Sequence, residues 1–231
     1  MKQPLSMMLA LFLLTAVSCR KKEEGVPKPE GGPSSVVTPV VPERPVSPLT
    51  PMESIKDLDA KVEGYKTGSK LTPEEIEHNR RLKEEIIRGT FDIAELCRLA
   101  LAGHWEPLSQ AERDSFVHLM TSLLERKAIF SKEQIKGEEK PYRIVYREEK
   151  FLDPEKKRSQ VTTTLYVPSK KIDLNINYHL TKGEKGWSIY DVIVDDASLV
   201  ENYKFQFDTI IRKNGFSDLV SRMEKKLKEM D

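Results

Sequence analysis

The sequence predicts an α+β domain in which N-terminal helices, a four-stranded antiparallel sheet and C-terminal helices pack together, with the helices on one face of the sheet. Three observations point there. Capping boxes introduce runs with apolar residues at helical spacing up to about residue 124. The apolar period then changes to two, most clearly between Ile172 and Leu180. Helical spacing returns after Ser198. Helices, then strands, then helices is the signature of helices segregated to one face of an antiparallel sheet.

The elements follow in chain order. Over 52–66, Ile55, Leu58, Val62 and Tyr65 fall near one helical face. Thr72-Pro73-Glu74-Glu75 reads as a capping box with proline at the first helical position, opening a helix with Ile76, Leu82 and Ile86 along one side. Asp92 caps a shorter helix, 93–102, that stops at Gly103. Ser109 to Glu112 is a second capping box, before a helix carrying Phe116, Leu119, Met120, Leu123 and Leu124. Residues 142–152 read as a charged edge strand, since charge on an edge discourages aggregation. Val161, Thr163, Leu165 and Val167 alternate in the next strand. Pro168-Ser169-Lys170 turns it into a strand whose Ile172, Leu174, Ile176, Tyr178 and Leu180 alternate with Asp173, Asn175, Asn177 and His179. Residues 182–186 form a second hairpin turn. Trp187 to Val194 is apolar on both faces, which predicts a central strand. Ser198 caps a helix with Val200, Tyr203, Phe207, Ile210 and Ile211 on one side, ending at Asn214-Gly215. Ser217 is expected to cap a charged final helix, 218–229.

Ahead of the domain (52–231) lie two segments of different character. Residues 1–18 read as a lipoprotein signal peptide: Lys2 gives the positive start, and Met7 to Val17 is an apolar run of 11 residues, too short to span a membrane. It ends in Ala16-Val17-Ser18-Cys19, which resembles a lipobox, making Cys19 the expected lipidation site and an N-terminal acyl chain the membrane anchor. A plain secretory signal with an incidental cysteine is the other reading; both place the protein outside the cytoplasm. Arg20, not Asp, follows Cys19, which favours the outer membrane over the inner.

Residues 19–51 then form an acylated cysteine and a proline-rich tether. Eight of the 14 prolines lie between Pro27 and Pro51, and Pro39, Pro42, Pro45, Pro48 and Pro51 recur every third residue, the repeat of a polyproline II helix. Without aromatics the stretch has no means of burying a core; at about 3.1 Å per residue it reaches roughly 100 Å when extended.

Composition excludes several functions. Lys and Arg number 38 against 37 Asp and Glu, so there is no basic excess and no nucleic acid partner is expected. Two cysteines, Cys19 and Cys97, rule out a disulfide scaffold, and the apolar neighbours of Cys97 mark it as a small buried hydrophobe. His78, His104, His118 and His179 show no recognised metal spacing. No nucleophile elbow, glycine-rich phosphate loop or CxxC is present, so neither catalytic residues nor a cofactor or metal is expected. Asp191, Asp195 and Asp196 cluster at a strand end, where turn and cap chemistry explains them more simply than a metal site.

The run Gly186-Trp187-Ser188-Ile189-Tyr190-Asp191-Val192-Ile193-Val194, with Ser198-Leu199-Val200-Glu201-Asn202-Tyr203-Lys204-Phe205-Gln206-Phe207, resembles the MlaC family. Leu101-Ala102-Gly103-His104-Trp105, Ala111-Glu112-Arg113 and Phe116 add to it, although the family often has arginine where this chain has His104. The resemblance implies an apolar cavity between sheet and helices that holds phospholipid acyl chains. It implies transport of lipid between an outer-membrane lipoprotein complex and an inner-membrane ABC transporter with MCE-type subunits. The expected lipid-binding residues are Leu165, Val167, Ile172, Leu174, Ile176 and Tyr178 on strands, with Phe116, Met120, Tyr203 and Phe207 on helices. The signal and tether depart from typical members, which diffuse freely; an anchored adaptor that carries no lipid is the alternative.

Overall fold

The computed structural model describes residues 49–66, 70–126, 143–167 and 171–230. The signal, Cys19, the tether up to residue 48 and the Pro168-Ser169-Lys170 turn lie outside the described residues.

Helix α1, Pro51–Glu63, starts from a capping box that the sequence reading passes over: the Thr50 hydroxyl accepts from the Glu53 amide, and the Glu53 carboxylate accepts from Thr50 N. Thr50-Pro51-Met52-Glu53 has the same design as Thr72-Pro73-Glu74-Glu75, which opens α2, Pro73–Thr90. Pro51, spaced like the tether prolines, is thus the first residue of a helix. Along α2 the buried residues are Ile86, Ile87 and Thr90, while Ile76 remains exposed.

Asp92 caps α3, Ile93–Leu101, as expected, and a 3-10 turn, Ala102–His104, follows. Ser109 and Glu112 make the reciprocal bonds that open α4, Gln110–Arg126.

Among the described residues the sheet has five strands rather than four, in the order β1-β2-β3-β4-β5, all antiparallel. They are β1 Arg143–Phe151, β2 Arg158–Val167, β3 Ile172–Gly183, β4 Gly186–Val194 and β5 Ala197–Ser198. The fifth strand is only two residues long, a reversal at Asp195 and Asp196 that adds a rung beside Ile193 and Val194. Both aspartates hold positive φ, which Asp tolerates better than most residues. Trp187–Val194 is therefore not flanked by two full strands. Its second edge is closed by β5, by a parallel bridge from Phe91 to Ile189 and by the Asp92 amide bonding to Ile189 O at 2.8 Å.

Helix α5, Leu199–Asn214, begins at Ser198, and α6, Phe216–Lys228, follows a corner at Gly215. The corner needs φ +86°, which glycine adopts without a Cβ penalty. Gly215 is the N-cap and no side chain caps α6, so Ser217 sits inside the first turn instead of capping it.

Helices α1, α2, α3 and α5 pack on one face of the sheet, while α4 and α6 pack chiefly on other helices as an outer layer. One continuous core joins Ile55, Leu58, Leu96, Phe116, Phe207 and Leu219 to Val161, Leu180 and Ile189 on the sheet. The opposite face carries a polar ladder: Thr162 Oγ1 bonds Asn177 Oδ1 at 2.7 Å, Thr164 bonds Asn175 at 3.2 Å, and Gln160 bonds both Asn177 and His179.

Candidate functional site

Strand register sorts the inner face into rungs, because directly opposed residues of neighbouring strands point the same way. One rung holds Glu149, Val161, Tyr178 and Val192; the next holds Tyr146, Thr163, Ile176 and Val194; the next holds Ile144, Leu165 and Leu174. Val167 pairs with Ile172 one rung further.

The helices use these rungs unequally. Val161, Leu180 and Ile189 are fully buried in the core, and Tyr178 and Val192 pack against it. Leu165, Leu174 and Ile176 belong to a separate zone, outside the continuous core formed by the described residues. Leu165 is buried, whereas Leu174, Ile176, Ile144 and Val194 are half-buried. With Ile144 and Val194, Leu165, Leu174 and Ile176 form an apolar strip on the inner face toward the Val167 end of β2.

Between the two zones sits Thr163, 1% exposed, whose hydroxyl has no hydrogen-bond partner among the described residues. An unpaired buried hydroxyl is costly, so its place at the edge of the strip is notable.

The expected binding residues therefore divide. Leu165, Leu174 and Ile176 come together on the strip, and Tyr178 stands at its border with the core. Phe116, Met120, Tyr203 and Phe207 are brought together elsewhere, in the helical core. Phe116 meets Phe207 edge to face at 5.6 Å, and Tyr203 stacks on Phe207 at 5.3 Å. Burial pushes the Tyr203 hydroxyl and the Cys97 thiol well above their usual pKa, which keeps both neutral. For Val167 and Ile172 only the backbone pairing, one step beyond Leu165 and Leu174, is described.

Two clefts have polar walls. One, of about 600 Å³, lies among Arg88, Asp92, Trp105, Arg113 and His118. Its arginines are already engaged, Arg88 with the buried Glu125 at 2.6 Å and Arg113 with Trp105 O and Glu106 O. The other, of about 490 Å³, includes Arg98, His179, Tyr190, Asp191 and Lys204. There Asp191 is spent on fastening α5, accepting from Ser198 Oγ at 2.7 Å and from the Val200 amide at 3.0 Å. Asp195 accepts from the Asn175 amide at 3.0 Å. The aspartates of this cluster thus hold turns and a helix start, and no group of three or more metal-ligating side chains occurs among the described residues.

One pairing escaped the sequence reading. His104 Nε2 lies 2.9 Å from Asp208, which also accepts from Arg212, so that both partners hold the Asp208 carboxyl below its usual pKa. The contact ties the turn after α3 to α5; its partners are 104 residues apart and no local pattern announces them.

These features define an α+β domain whose sheet carries, on its inner face, an apolar strip outside the continuous core formed by the described residues. The family model for the MlaC protein matches residues 59–225, and the chain belongs to the MlaC family. Among solved structures it is similar to a phospholipid-binding protein from Ralstonia solanacearum, solved in complex with a phospholipid. The two share 17% identity with a TM-score of 0.58, over 77% of this chain and 94% of that one. No curated protein sequence matches the chain.

Proposed function

We propose that the chain binds phospholipid, seating acyl chains against the strip formed by Leu165, Leu174 and Ile176, with Tyr178 at its border. The observation that carries this is the division of the inner face: apolar side chains that an ordinary core would have used lie outside it. Phe116, Met120, Tyr203 and Phe207 serve the packed wall. Family membership and the phospholipid-binding relative support the same reading.

The physics explains why a carrier is needed. At about 0.8 kcal/mol per CH₂, exposing one sixteen-carbon chain to water costs roughly 12 kcal/mol, so unaided passage across an aqueous gap is very slow. A strip of branched and aromatic side chains replaces the water without demanding directional bonds, which suits a flexible chain.

In this reading the protein is a binding component and not an enzyme. It faces the periplasm and is held at the outer membrane by acylated Cys19 through the proline tether. It passes lipid between an outer-membrane lipoprotein complex and an inner-membrane MCE-type transporter. No helix among the described residues is long and apolar enough to cross a membrane.

The test is native mass spectrometry of the exported chain, purified without detergent, followed by extraction of bound lipid. One phospholipid per chain is expected. Ile176→Arg, which sets an unpaired charge against the acyl chains, is expected to lower that occupancy by at least about ten-fold. A clean lipid-free mass, with no uptake from labelled vesicles, would sink the carrier and leave the anchored adaptor.

A further inference from the structure

Few large apolar side chains are left exposed by the described residues, and two of them, Phe151 and Leu152, are adjacent, at 43% and 42% exposure. They stand where β1 turns into β2. Beside them is Trp187 at the start of β4, its ring centroid 6.1 Å from that of Phe151. Trp187 also packs against the core, so this pair of rings joins the core to the surface. The turns 152–157 and 183–186 thus meet at one end of the sheet in an apolar tip.

Lysines stand beside that tip. Lys156 Nζ lies 5.4 Å from the Phe151 ring centroid and Lys182 Nζ lies 5.9 Å from that of Trp187. Within 150–158 and 182–187, six basic side chains stand against three acidic ones, in a chain whose net charge is only +1. Lys157 Nζ pairs with Glu155 at 2.7 Å and Arg158 with Glu95 of α3 at 2.7 Å, while Asp153 accepts from the amides of Lys157 and Arg158, so Lys150, Lys156, Lys182 and Lys185 stand against Asp153 and Glu184. The charge available to a partner is therefore positive, and two of its lysines, Lys156 and Lys182, lie beside the aromatic pair.

We infer that this tip docks onto an anionic lipid surface. Aromatic rings settle at the level of the headgroups, and lysines reach from apolar stems to phosphates. An anionic leaflet supplies both an apolar layer and a dense sheet of negative charge, the two things that Phe151, Leu152, Trp187 and the lysines would meet together. The inference goes beyond lipid carriage and does not depend on it, because the tip is at the Arg158 end of β2 and the strip is toward its Val167 end.

The experiment follows Trp187 in the full chain carrying Trp105→Phe, with vesicles of phosphatidylglycerol and phosphatidylethanolamine whose acyl chains are brominated. The N-terminal segment is common to every comparison, so only the local signal counts. Quenching of Trp187 is expected with these vesicles and not with phosphatidylcholine. The concentration of vesicles needed should rise about five-fold for each of Lys156 and Lys182 replaced by Gln. Phe151→Ser with Leu152→Ser should abolish quenching while leaving the circular dichroism unchanged. Equal signals on both vesicle types, or none on either, would overturn the inference. Should Trp105→Phe not fold, hydrogen exchange of the unsubstituted full chain decides: protection of 150–158 and 183–187 by anionic vesicles supports docking, and its absence overturns it. Protection that appears without vesicles and grows with protein concentration would overturn it in favour of a second copy of the chain.

Discussion

The two ends of the sheet's inner face are built from the same kind of residue and used differently. At one, Val161, Leu180 and Ile189 are fully buried beneath helices. At the other, Leu165, Leu174 and Ile176 lie on the same face of the same or neighbouring strands and stay out of that core. Hydrophobicity alone does not separate a residue of the continuous core from one outside it; what separates them here is where the described helices come to rest.

That contrast is broken most sharply by paired truncations. Phe207→Ala removes a 1% exposed ring locked between Phe116 and Tyr203, and thermal or denaturant unfolding should show a loss of about 3–5 kcal/mol. Leu174→Ala, on the half-buried strip, should cost less than about 1 kcal/mol in the lipid-free protein. Similar losses at the two sites would mean that the strip is core after all.

A smaller effect probes the edge of the helical layer. On α1, Asp59 accepts from the Tyr146 hydroxyl of β1 at 2.7 Å, next to Glu63 and below Lys56, which stacks on the Tyr146 ring. Burial, outweighing the Tyr146 bond and helped by Glu63, raises the Asp59 pKa to about 6. A carboxyl with a raised folded pKa binds its proton more tightly in the folded state. Stability from this group is therefore fully present below the unfolded value of 3.8 and falls as pH rises through about 6. Asp59→Asn should flatten that slope and raise stability at pH 7 by about 2 kcal/mol, measured by unfolding across the window. An unchanged slope would show that α1 sits more loosely on β1 than this geometry requires.

The smallest effect lies on the boundary itself. Thr163→Val replaces a buried hydroxyl lacking a partner among the described residues by a methyl group, and should raise the melting temperature by the equivalent of about 1 kcal/mol. A loss instead would show that the hydroxyl is satisfied.

Much of this architecture was legible. The Thr72 and Ser109 capping boxes, the Asp92 and Ser198 caps and the alternation from Ile172 to Leu180 all involve residues a few positions apart, so the chain states them locally. The Thr50 box was equally local, but the proline repeat drew Pro51 into the tether. Ser217 misled because a preferred capping residue stood next to Gly215, whose positive φ made the corner without it. For the site, alternation identified which strand residues share a face and had no means of telling which of them a helix would cover.

The sequence by itself determined the order of helices and strands, their caps, the apolar and polar faces of β2 and β3, and the burial of Cys97. These depend on backbone preferences and side-chain periods within a few residues. Only the tertiary structure decided that β4 closes its edge with β5 and Phe91, that His104 meets Asp208, and that Phe207 is core while Ile176 is not. Each of those depends on where elements distant in the chain come to rest, and a helix buries only as much of a strand as its length and crossing position allow.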